Sequence, residues 1–403
     1  MIIYSKQIIT KDEIKDGYLI VENGKIQRIA DVTENLTADI DATNYRIIPG
    51  IIDTHNHGMY GCRMKEGVQE EEVKKYLKGC ASFGVTSVFP TTFGYNDYRC
   101  FPLLAKMAES FQDGAQIAGI HSEGPFGARV GEKGINTGYP AVDMEHLKNI
   151  VESANGKLKL MGIAPEVDGA IEAIHYLKER GVTVAAYHTN ANYEQANKGI
   201  DAGITVGTHT GNVMTGLHHR DIGTLGACLL RDEVYCELIC DGLHISLPMI
   251  QVMLKVKPHD QIMMISDSVQ YASIPQGVYR AMTITNPDSD TNELHVLENG
   301  LCVSRTGRLS GSTKPIIYGM QNLVEKLQMD IVEVCQLSSY NAARKYNLEN
   351  KGLLQAGYDA DFAIIDDQYQ VIATYCLGKK VYDNQTDINL VNQAFIDTYK
   401  MGS

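Results

Sequence analysis

Two histidines separated by one residue, His55 and His57, follow the apolar pair Ile51-Ile52. At the end of an extended strand, side chains two apart share a face, so both imidazoles can reach one metal ion. An HxH pair also occurs as two exposed loop histidines and by itself decides nothing. Glu123 stands in His121-Ser122-Glu123-Gly124-Pro125-Phe126, after the apolar stretch 115–120. His188 closes the run 184–187, His209 closes 205–208, and Asp267 follows 262–265 in Ser266-Asp267-Ser268. Imidazole and carboxylate donors together suit zinc, iron or a similar divalent ion. Such an ion acidifies water and polarises a carbonyl. A carboxylate such as Asp267 can take the proton from that water and later deliver it to a leaving amine. The chemistry these residue types support is metal-assisted amide hydrolysis.

These candidates share one position: each follows a short apolar run. Segments 85–89, 115–121, 158–164, 183–187, 205–208, 234–239 and 261–265 read as buried strands, and stretches such as 167–180 and 192–202 between them read as helices. Strands alternating with helices over this length predict a parallel sheet with right-handed crossovers. About eight such units predict a closed (β/α)8 barrel, whose catalytic groups lie at the C-terminal ends of the strands. Before residue 48 the pattern is different. Residues 18–22 and 25–30 alternate as two strands around Asn23-Gly24, a two-residue hairpin signal. Strand-like alternation returns at 361–365, 371–376 and 379–382. The expected architecture is an α/β chain with a barrel over 49–350 and a small β-sandwich domain built from both ends, 1–48 and 351–403.

A chain of 403 residues with 44% hydrophobic and 21% charged content can bury a large core. The net charge of −13 disfavours a general nucleic-acid role, which needs a basic face. Nine cysteines without a CxxC pair read as reduced, mostly buried thiols. The first ten residues carry no basic stretch followed by a long apolar one, and no apolar run approaches ~18 residues. A cytoplasmic chain with no membrane partner is expected.

The motifs His121-Ser122-Glu123-Gly124-Pro125-Phe126, Gly207-Thr208-His209, Asn212-Val213-Met214, His218-His219-Arg220, Asp241-Gly242-Leu243-His244 and Ser266-Asp267-Ser268 occur in a specific order. Together they resemble the N-acetylglucosamine-6-phosphate deacetylase family of the amidohydrolase superfamily, over nearly the whole chain. The resemblance implies hydrolysis of the acetamide of a hexosamine 6-phosphate, giving acetate and a free amine in amino-sugar catabolism. It implies Glu123, His188 and His209 as ligands of the main metal, His55 and His57 as ligands of a second, and Asp267 as general base and acid. One or two divalent ions, zinc or iron, are implied. Arg220 becomes the phosphate clamp, suited by its planar fork of donors, and His244 a further substrate contact. The resemblance also implies that Asn212 and Val213 line the sugar site, that Leu309, Ser310 and Gly311 form another wall, and that the chain works as a homodimer.

Three departures from the family stand out. Asn136 stands where a histidine usually polarises the acetyl carbonyl. Thr210-Gly211 replaces a bulky pair and Val213 an alanine, which is expected to reshape the sugar pocket. Ser122 stands where leucine is usual. These departures keep open an amidohydrolase acting on another epimer, another acyl group or an unphosphorylated compound. A sugar-phosphate-binding protein that has lost catalysis is the reading from a different class; retention of the ligand set and Asp267 argues against it.

Overall fold

The computed structural model describes residues 1–129, 141–282 and 292–402. Its centre is a barrel of eight parallel strands: β1 (Ile51–Asn56), β2 (Val85–Thr92), β3 (Ile120–Phe126), β4 (Leu158–Ile163), β5 (Thr183–Ala186), β6 (Ile204–Gly207), β7 (Tyr235–Ile239) and β8 (Ile262–Ile265). Each strand pairs in parallel with its chain neighbour, β1 with β2 through to β7 with β8. The ring closes beyond the strand ends, where His57 donates its amide to the Ser268 carbonyl at 2.8 Å and Asn56 pairs with Ser268.

Helices follow each strand: α1 (Glu70–Ala81), α2 (Phe101–Ser110), α3 (Met144–Ser153), α4 (Ala170–Glu179), α5 (Tyr193–Ala202), α6 (Gly223–Leu230), α7 (Leu247–Val256) and α8 (Ile316–Gln321). Their starts are written locally. Asp143 accepts from the amides of Glu145 and His146 to cap α3, and Asn192 and Gln195 form a reciprocal capping box on α5. Their apolar faces cover the outside of the strands, while Ile52, Phe89, Leu160, Ala185, Val206 and Met263 fill the lumen. Tyr346 plugs that layer from the N-terminal end, its ring 4.9 Å from Phe89. The barrel is therefore a packed core at one end, and its polar groups collect at the other.

The chain ends build one mixed sheet of eight strands, in which residues 2–49 supply five and 362–383 supply three. The hairpin at Asn23-Gly24 forms as its sequence demands, with both residues at positive φ (49° and 76°). Phe362 and Tyr375 stack at 4.5 Å within the core of this sheet. A polar seam joins it to the barrel: Lys351 Nζ lies 2.6 Å from Asp361 and 3.0 Å from Asp359, and Gln116 donates to both oxygens of Asp361. Two features have no counterpart in the sequence reading. Strands Gly277–Arg280, Glu293–Val296 and Cys302–Ser304 form a separate antiparallel sheet between β8 and α8. The helix Gln393–Tyr399 leaves the end sheet and sets Phe395 against Tyr271 and Tyr279 of this insert. All nine cysteines are buried and free.

Candidate active site

Six side chains converge at the C-terminal mouth of the barrel. The HxH pair leaves β1 with both rings on one side, and the Nε2 atoms of His55 and His57 stand 3.2 Å apart. Glu123, on β3, lies between two pairs of histidines. Its Oε1 is 2.8 Å from His209 Nε2 and 3.4 Å from His188 Nε2. Its Oε2 is 3.0 Å from His57 Nε2 and 3.6 Å from His55 Nε2. Asp267 closes the group, with Oδ1 3.4 Å from the Nε2 of both His55 and His57. Glu123 is 3% exposed, so these charges meet almost without water.

The backbone is bent to achieve this. His188, His209 and Asp267 have φ of 37°, 32° and 49°. A residue with a Cβ held there costs about 1–3 kcal/mol, and such positions collect at functional sites. Each of these three strands ends two residues before its functional group, and the left-handed residue turns the side chain back across the barrel mouth.

The donor set fits divalent ions. Four ligands held tetrahedrally at ~2.0–2.1 Å from zinc lie about 3.3 Å apart, and the separations around Glu123 fall on both sides of that value. His188 Nδ1 donates to the Arg129 carbonyl and His209 Nδ1 to the Asn212 carbonyl, both at 3.1 Å. A carbonyl can only accept, so in the neutral ring each Nε2 keeps the lone pair that a metal ligand requires. Burial would raise the Glu123 carboxyl, yet His55, His188 and His209 outweigh it and hold the group well below the usual range. Burial would lower His57, yet Asp267 and Glu123 raise it. The carboxylates thus demand positive charge, which ions would supply. Two overlapping clusters meet at Glu123, one with His188 and His209 and one with His55, His57 and Asp267.

A second layer fixes the first. Asp53 accepts from the Ser266 hydroxyl at 2.6 Å, the Ser266 amide at 3.2 Å and Asn56 Nδ2 at 3.0 Å. It locks the end of β1 to the end of β8, where Asp267 sits. Phe93 covers the cluster, its ring 6.3 Å from His57 and 5.7 Å from His188. The sequence reading missed Asp53 and Phe93. An acid directly after the apolar pair Ile51-Ile52, two residues before the first histidine, was an available signal for Asp53; Phe93 had none.

The other candidates are more dispersed. Asn212 and Val213 are buried on the turn after β6, and Val213 holds Thr189 by accepting its amide at 3.1 Å. His244, after β7, has Nδ1 2.7 Å from Asp241 Oδ2, which orients its ring. Leu309, Ser310 and Gly311 lead into Ser312, whose amide donates to the Asp267 carbonyl at 3.2 Å. Arg220 lies on an exposed loop with its guanidinium against His219. Asn136 lies outside the described residues.

Two of the departures belong to the scaffold. Gly211 was expected to open the sugar pocket. A Cβ at this position, where φ is 93°, would instead meet Met253 of α7 at 2.5 Å. Thr210 is fully buried and donates to the Gly207 carbonyl at 2.8 Å. Ser122 likewise turns inward, donating to the Gly124 carbonyl at 2.8 Å.

The description of the amidohydrolase family matches residues 46–396. The chain belongs to the amidohydrolase family. This amidohydrolase is 30% identical over 378 residues to N-acetylglucosamine-6-phosphate deacetylase of Lysinibacillus sphaericus, covering 92% of this chain and 94% of that one. It is 27% identical over 389 residues to N-acetylgalactosamine-6-phosphate deacetylase of Escherichia coli O157:H7, covering 94% and 98%. Its fold matches an alanine variant of N-acetyl-D-glucosamine-6-phosphate deacetylase from Mycobacterium smegmatis, solved with N-acetyl-D-glucosamine-6-phosphate, at a TM-score of 0.84 and 25% identity, covering 94% of this chain and 99% of that one.

Proposed function

We propose that this amidohydrolase removes the acetyl group of an N-acetylhexosamine 6-phosphate, N-acetylglucosamine 6-phosphate foremost, in amino-sugar catabolism. The observation that carries the reading is the Glu123 carboxylate shared between His188–His209 and His55–His57, with Asp267 beside it, in a chain whose full-length relatives are deacetylases. Glu123, His188 and His209 would hold one divalent ion, and His55 and His57 a second sharing Glu123. Zinc or iron suits these donors. When bound, such an ion supplies a Lewis acid for the amide carbonyl and acidifies water.

The chain's own residues do the rest. Asp267 Oδ1 stands at the edge of the cluster, where it can accept a proton from the attacking water. It then passes that proton to the amide nitrogen, which leaves as the amine. Asp241 steadies His244 for the sugar, and Phe93 keeps one side of the cluster dry. Asn212, Val213 and the 309–311 segment bound the sugar. Arg220 takes the phosphate. The working form is a cytoplasmic homodimer. No helix among the described residues is long and apolar enough to cross a membrane.

The second reading, another epimer, is favoured by the similarity to the galactosamine enzyme. An acetate-release assay on N-acetylglucosamine 6-phosphate, N-acetylgalactosamine 6-phosphate and their unphosphorylated forms separates the two. Highest kcat/KM on the glucosamine phosphate is expected; release from none of the four would overturn the proposal.

A further inference from the structure

Below the six converging side chains the barrel lumen holds one more carboxylate. Glu237 sits on β7 among Cys236, Leu238 and Ile239 and has no exposed surface. The Thr54 hydroxyl donates to its Oε1 at 2.9 Å. Its Oε2 has no hydrogen bond and faces Nδ1 of His55, itself without one, at 3.6 Å. Among the described residues, His55 is the one basic group within ion-pair distance of Glu237. Burying a carboxylate costs several kcal/mol unless a partner offsets it, so the reason for an acid here lies in what it faces.

The contrast with the other cluster is informative. His188 and His209 are steadied through Nδ1 by neutral main-chain carbonyls. Behind His55 stands a carboxylate. Such a partner fixes the Nδ1–H tautomer of a ligating imidazole and makes Nε2 a stronger donor. His121 packs edge-on against the same ring, with centroids 4.6 Å apart, which leaves His55 little freedom to rotate.

We infer that Glu237 is a positioning residue for the His55–His57 half of the site, aiming Nε2 of His55 at Glu123 and so holding the second divalent ion. The inference rests on the two-ion reading above.

The test measures metal, not turnover. The full chain and its Glu237→Gln and Thr54→Val variants are dialysed against zinc buffered at graded free concentrations, and zinc per chain is read by mass spectrometry. Glu237→Gln keeps the volume and removes one carboxylate oxygen. Thr54→Val keeps the shape, removes the hydroxyl that orients Glu237, and decides the matter if the first variant does not fold. The expected result is two ions in the wild type and a second ion bound ~10–100-fold more weakly in the variants, with the first unchanged. Two ions bound equally well in all three proteins would overturn the role of Glu237 alone. A wild type that takes up one ion would overturn the two-ion reading and this inference with it.

Discussion

The Asp267 amide donates to the His55 carbonyl at 2.9 Å. With the His57–Ser268 bond, it joins the last strand of the barrel to the first and holds the proposed proton carrier beside the HxH pair. Closing the barrel and assembling the site are the same event, which explains why Asp53 and Ser266 are spent on reinforcing it.

Glu123 is the hinge of the ion site, because its two oxygens face different histidine pairs. Glu123→Gln is expected to lose both ions, where loss of any one histidine loses one. The weakening should exceed the ~10–100-fold that loss of an outer partner costs. Metal analysis of Glu123→Gln beside His188→Asn and His57→Asn checks this.

Gly211→Ala is expected to destabilise the fold by about 1–3 kcal/mol, through its left-handed φ and the contact with Met253. Because the new methyl points into the packing of α7, the preference between the glucosamine and galactosamine phosphates should not change. Urea unfolding and the ratio of the two kcat/KM values read the two effects separately.

Lys351 ties the end sheet to the barrel. Burial lowers its ammonium, but Asp361 and Asp359 outweigh burial and raise it above the usual value. A raised lysine contributes stability in full below its unfolded pKa of ~10.4 and loses it as pH climbs through the folded value. Lys351→Met should cost about 3 kcal/mol, because it leaves the buried Asp361 without an opposite charge, with Gln116 and the Leu377 amide still donating to it. Tm measured for both proteins from pH 8 to 11 should show the gap narrowing only at the alkaline end.

The architecture was readable because apolar runs alternating with helical stretches admit few folds, and because strand ends are where a barrel places its chemistry. That logic located all six converging side chains before any geometry was known. It failed where a side chain's direction mattered. Spacing shows that Gly211 and Ser122 sit beside functional residues, but not that one faces Met253 and the other its own turn. Glu237 was passed over as part of an apolar strand, although a lone acid between Cys236 and Leu238 marks a carboxylate that needs a partner inside the barrel. The insert at 277–304 was absorbed into the barrel because its three strands are only three or four residues long.

The central claim is that the ion site and the proton carrier are separate functions of one cluster. Asp267→Asn tests it most directly, with turnover of N-acetylglucosamine 6-phosphate and metal content measured on the same preparation. kcat is expected to fall by ~10²–10⁴ while the ion at Glu123, His188 and His209 stays bound. Turnover within a few-fold of the wild type in a fully loaded protein would contradict it.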